Sequence, residues 1–93
     1  MFSYDISDEL RKQIEILVKK DKTRAKSLYK KIKEIIAQDE SSIDHYKNLR
    51  YDLRDYKRVH IFGGRFVLMF QVIKEKNHIL FLKIEHHDNA YKR

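Results

Sequence analysis

Apolar and polar positions alternate at the start of the chain. Phe2, Tyr4 and Ile6 are separated by Ser3 and Asp5, the two-residue period of a short strand. Ser7 follows as a helix cap, and Asp8 and Glu9 occupy the first turn, where negative charge suits the helix dipole. Leu10, Ile14, Leu17 and Val18 form the apolar stripe of a helix ending near Lys20. Asp21 or Thr23 can cap a second helix, whose stripe is Ala25, Leu28, Ile32, Ile35 and Ile36, with Lys26, Lys30, Lys31 and Lys33 off it. The brief polar connection predicts an antiparallel helix hairpin.

From Tyr56 the period returns to two. Tyr56 to Phe62 alternates, Gly63-Gly64 supplies a turn that tolerates positive φ, and Arg65 to Ile73 is dense in β-branched and aromatic residues. Lys74 to Asn77 is a polar break, and Ile79 to Glu85 is a further run. Short connections predict an antiparallel meander. Parity assigns Val59, Ile61, Phe66, Leu68, Phe70, Val72, Leu80, Leu82 and Ile84 to one apolar face. The other face then carries Arg58, His60, Arg65, Val67, Met69, Gln71, Phe81, Lys83, Glu85 and His87. Between Asp39 and Asp55, a turn of helix near Ile43 to Leu49 followed by irregular chain fits best.

Both helix stripes need an apolar partner, and the sheet face supplies one. The expected fold is α+β in two layers, β-α-α-β-β-β, with the N-terminal helix hairpin on one face of a mainly antiparallel four-stranded sheet. At 93 residues, positions 1–93 make one expected domain. No cysteine is present, which excludes disulfides and thiolate zinc sites. No apolar run approaches the ~20 residues that span a bilayer, so a cytoplasmic protein without a membrane partner is expected. The net charge of +7 favours a polyanionic partner such as RNA, DNA, a ribosome or an acidic protein.

The polar face offers two kinds of chemistry. Lys57, Arg58, Arg65 and Lys83 can bind phosphates, while Phe81, Tyr91 or Phe62 can stack on bases. His60 and His87 can serve as acid and base, because histidine titrates near neutral pH. RNA cleavage without a metal needs a base for the ribose 2′-hydroxyl, an acid for the leaving 5′-oxygen, and cations around the phosphate. His86, His87 and Asp88 also have the residue types of metal ligands, but three adjacent residues rarely converge on one ion, so no metal site is assigned. His45 and His78 have no visible company. A solvated basic face without chemistry remains the plain alternative.

Several segments together resemble the RelE/ParE superfamily of toxins from toxin–antitoxin modules. They are Leu49-x3-Leu53-x2-Tyr56 leading into YKRVHI, the FVLMFQV strand after a glycine turn, and the closing HHDNAY. The His-His-Asp-x-x-Tyr ending resembles the archaeal and StbE-type branch, in place of His-Arg-x-x-x-Tyr. The resemblance covers nearly the whole chain and implies the same fold. It implies a ribosome-dependent messenger-RNA interferase, an endoribonuclease with no cofactor, in which His60 is the base, His87 the acid, Arg58 a phosphate stabiliser and Tyr91 a substrate-positioning residue. The implied partners are the ribosome with its messenger RNA and a RelB-like antitoxin, with a toxin–antitoxin heterotetramer among the assemblies it allows. The chain departs from the family at Val67, where many members carry an arginine after an aromatic; Arg65 is the nearby replacement. The C-terminal helix of some members is not expected, the sequence ending at Arg93. Two rivals stay open: a non-catalytic ParE-like poison of DNA gyrase, and a basic RNA-binding module.

Overall fold

The computed structural model describes residues 1–46 and 56–90. The chain runs β1 (Ser3–Ile6), α1 (Asp8–Lys20), α2 (Lys22–Ile36), a short 3-10 turn (Ser42–His45), β2 (Tyr56–Ile61), β3 (Phe66–Ile73), β4 (His78–His86) and one helical turn, α3 (His87–Ala90). The strands lie in the order β1-β4-β3-β2. β2, β3 and β4 form an antiparallel meander, and β1 pairs parallel with β4 at the edge. The result is the expected two-layer α+β fold on a mostly antiparallel sheet.

One residue separates the two long helices. Asp21 ends α1 by donating its backbone N–H to the Leu17 carbonyl, 2.8 Å away, and starts α2 by accepting the Arg24 N–H on its carboxylate at 3.1 Å. Such caps are typically worth about 1 kcal/mol. Leu10 and Ile14 of α1 and Ala25, Leu28, Ile32 and Ile35 of α2 are buried, while Leu17 and Ile36 pack at the margin. Val18 lies at the edge of the stripe and is exposed, contrary to expectation. The helices cover Ile61, Leu68, Phe70, Val72, Ile79 and Phe81 of the sheet. Each such large apolar side chain contributes on the order of 1.5–3 kcal/mol by leaving water.

The parity assigned to β4 fails at one point. Met69 pairs with Lys83 but Phe70 pairs with Phe81, so Leu82 is an extra residue in a bulge. Beyond it the alternation inverts. Ile79 and Phe81 turn into the core at 0% exposure, and Leu80 moves to the opposite face beside Gln71. The bulge sits where β1 ends and its chain leaves the sheet. There Ser7 donates its backbone N–H to the Phe81 carbonyl and its hydroxyl to the Leu82 carbonyl. Gln13 of α1 continues the edge: its side-chain amide donates to the Ile84 carbonyl and accepts the Ile84 N–H, both at 2.8 Å. The cap residue Ser7 and the helix side chain of Gln13 thus satisfy backbone groups of β4 beyond the end of β1.

Three successive residues of the β2–β3 turn have positive φ, 55° at Phe62, 73° at Gly63 and 91° at Gly64, before Arg65 returns to the right-handed region. The glycines take this conformation without steric cost, whereas Phe62 does not. Its ring is held by the Arg24 guanidinium, 5.2 Å from the ring centre, and stands edge-on to Phe66 at 5.9 Å. Of the segment between Asp39 and Asp55, the described part shows a 3-10 turn around Ile43, which is fully buried; Leu49 and Leu53 lie outside the described residues.

Candidate active site

On the sheet face away from the helices, cross-strand partners define rows. His60 on β2, Val67 on β3 and Glu85 on β4 form one; Arg58, Met69 and Lys83 form the next. His87 lies one alternation beyond Glu85, at the start of α3, where its backbone N–H donates to the Arg65 carbonyl at 2.8 Å. That bond ties the end of β4 to the residue that leads into β3. The rings of His60 and His87 come within 5.2 Å between centres, with planes 30° apart. Val67 lies between His60 and Glu85 at 0% exposure, yet it is not part of the core under the helices. Val67 thus gives this face an apolar floor between the two polar strands.

The neighbourhood is cationic but not uniformly so. Arg58 and His60 alternate on β2, and Lys83 reaches Glu85 at 3.1 Å, so part of the lysine charge is already answered. Arg65 is exposed at the mouth of the β2–β3 turn. His87 Nδ1 lies 3.6 Å from the Asp88 carboxylate. His86 points to the helix side, edge-on to Phe66 at 5.3 Å, and so does not join His87. Among the described residues no three potential metal ligands converge. Tyr91 lies outside the described residues.

Two residues expected at this face are elsewhere. Phe81 is in the core, edge-on to Tyr4 and tilted against Phe70, because the Leu82 bulge inverts its side. It cannot stack on a base. Lys57 shares the helix-side face with Val59 and Ile61 and is only 5% exposed. Its ammonium donates to the Tyr46 carbonyl at 3.3 Å and pairs with Asp44 at 3.6 Å. Asp44 also takes a 2.6 Å bond from Lys74, which, with the charges of both lysines, holds its carboxyl below the usual carboxylate range. Lys57 is therefore a strut under the 3-10 turn, not a phosphate ligand. The Tyr46 ring closes the same corner against Phe70, and burial pushes its phenol upward.

The two histidines expected to be solitary have partners. His45 stacks on Tyr46, and His78 bridges Ser3 at 2.7 Å and Asp5 at 3.2 Å across the β1–β4 pair. Gln13 was missed as a residue that supports the site, although one signal pointed to it. An uncharged amide beside Leu10, Ile14 and Leu17 on the inward side of a helix requires a hydrogen-bond partner inside.

No protein-family model matches the chain. It is 41% identical over 93 residues to a chain named as a toxin, RelE4, in Methanocaldococcus jannaschii, with 100% of this chain and 94% of the relative covered. This chain belongs to the RelE family of toxins. Solved RelE-like structures have the same fold at lower identity. The metal-bound toxin from Helicobacter pylori matches with a TM-score of 0.73 at 24% identity, over 98% of this chain and 100% of that one. Isolated E. coli RelE matches at 0.70 and 20% identity, over 92% of this chain and 84% of its own. The toxin–antitoxin complex RelBE of E. coli matches at 0.68 and 18%, over 92% and 96%. Against the RelE fold, the His60–His87 pair lies on the sheet face that the helix hairpin leaves open.

Proposed function

We propose that this chain is the toxin of a toxin–antitoxin pair and acts as an endoribonuclease that cuts messenger RNA in the A site of the translating ribosome. The observation that carries the reading is the approach of His60 and His87, from elements 27 residues apart in sequence, to 5.2 Å on an open, cationic sheet face. In the proposed reaction, which needs no metal, His60 takes the proton of a ribose 2′-hydroxyl, and the 2′-oxygen attacks the adjacent phosphorus. The bond to the 5′-oxygen breaks, and His87 supplies the proton that this oxygen needs on leaving. Arg58, Lys83 and Arg65 stabilise the charge that builds on the phosphate, with the planar Arg58 fork suited to two oxygens. Tyr91 positions the nucleotide. The ribosome holds the messenger in place, which is why so small a face can suffice.

The family and the E. coli RelBE complex support a RelB-like antitoxin as the second partner. An acidic antitoxin segment would meet the +7 charge of this chain and cover its catalytic face. Primer extension on messenger RNA in a translation extract tests the reading. Cleavage within codons, seen only on translating ribosomes, should fall by about a hundredfold or more in His60→Ala and in His87→Ala, the scale of lost acid–base catalysis. Intact messenger with arrested growth would point instead to a gyrase poison, and intact messenger without arrest to a basic binding module.

A further inference from the structure

The clearest departure from relaxed backbone lies next to the histidine pair. Phe62, with φ of 55°, occupies a region that is sterically costly for a bulky residue, although two glycines follow it directly. Such a conformation persists only where its surroundings hold it. Nothing lies within 4 Å of where a side chain at Gly63 or Gly64 would begin, so packing at the glycines does not hold the turn. The Phe62 ring does. The Arg24 guanidinium of α2 sits 5.2 Å from the centre of that ring and 5.9 Å from the centre of the Phe66 ring, and the two rings meet edge to face at 5.9 Å. One cation therefore grips both ends of the turn. Asp21, the cap of the same helix, orients the guanidinium from 3.5 Å.

Two contacts carry this clamp to the histidine pair. Arg65, between the two phenylalanines, accepts the His87 backbone N–H at 2.8 Å. Phe66 pairs with His86 across β3 and β4, and their rings stand 5.3 Å apart. The bond that holds His87 and the residue before it therefore both rest on the clamped turn. We infer that Arg24, Phe62 and Phe66 are positioning residues for His87. They act from the helix side of the sheet and keep its ring 5.2 Å from His60 on the other side. A turn that only joined two strands would take glycine at position 62 and need no cation beside it. The inference deepens the proposed function and rests on His87 being the acid of that reaction.

The test compares Arg24→Gln, Arg24→Lys, Phe62→Gly and the double variant R24Q/F62G in the full chain, with circular dichroism as the control for folding. Each is read in two ways: kcat and KM for messenger cleavage on translating ribosomes, and NMR of the free protein. In Arg24→Gln kcat should fall about tenfold or more with KM unchanged, as for a misplaced catalytic group. The nuclear Overhauser contact between the His60 and His87 rings should be lost, and the His87 amide should exchange about tenfold faster or more. The Ile84 amide, which Gln13 holds instead, should exchange as before. Arg24→Lys keeps the charge without the planar face and should recover part of kcat. Phe62→Gly relaxes the backbone but removes the ring, and should lose as much as Arg24→Gln. The double variant should lose no more than either alone, because both remove one contact. Unchanged ring contact and amide exchange in Arg24→Gln would overturn the inference. So would a rise in KM with kcat intact, which would make Arg24 a docking cation, or a lost ring contact with full kcat. If the wild-type chain cuts no messenger while Arg24→Gln still frees His87, the clamp stands and the cleavage reading fails. If it cuts and Arg24→Gln changes neither readout, only the clamp fails.

Discussion

Lys57 occupies a position that strand parity already marks, since it alternates with Val59 and Ile61 on the apolar side of β2. A charge there must find a partner, and it finds the Tyr46 carbonyl and Asp44. Lys57→Met keeps most of the volume but leaves that carbonyl unanswered, so stability measured by urea unfolding should fall by about 1–3 kcal/mol. Messenger cleavage by the folded variant should be unchanged, an outcome a phosphate ligand would not give. Asp44 sets the pH response of the same corner. Its folded carboxyl titrates below its ordinary value of 3.8, so its contribution is present above that value and lost as pH falls through the lower folded one. Asp44→Asn should reduce stability at neutral pH and flatten the acid limb of the unfolding curve below about pH 4. The parity of Lys57 was legible in the sequence. Its partners, 11 and 13 residues away across a connection without regular period, were not.

Strand β4 shows where reading from periodicity reaches its limit. Ile79-Leu80-Phe81-Leu82 is apolar at every position, so either parity would bury two large side chains, and nothing local says where an extra residue enters. The choice is made by tertiary structure. The end of β1 at Ile6 and the cap at Ser7 present a backbone N–H and a hydroxyl to the Phe81 and Leu82 carbonyls, and the bulge forms there. The antiparallel meander, both helices and their caps were readable, because each rests on local spacing and capping chemistry. Gln13 then fixes the half of β4 that leads to His87, three residues after Ile84. Gln13→Leu leaves the Ile84 N–H and carbonyl unpaired, and should lower stability by about 2 kcal/mol and slow cleavage at saturating ribosomes. Gln13→Glu retains the acceptor but not the donor and should fall between. Equal cleavage in all three proteins, with stability lowered, would confine Gln13 to the scaffold.

At the scale of the whole molecule, the sheet separates two cationic surfaces of different design. One combines histidine, arginine and a tempered lysine over an apolar floor, and the other is a regular row of lysines. The convergence of His60 and His87 could be anticipated from their strands, but its closeness depends on the backbone bond from His87 to Arg65, which no side-chain pattern encodes. The pairing of β1 with β4 matches Ser3 with His78 and Ile6 with Phe81. The first strand to be synthesised therefore waits for the last. At about 5–20 residues per second, some 4–15 s pass on the ribosome between the two. Throughout that interval the sheet lacks the central strand that leads to His87, and the face on which His60 and His87 meet cannot yet exist.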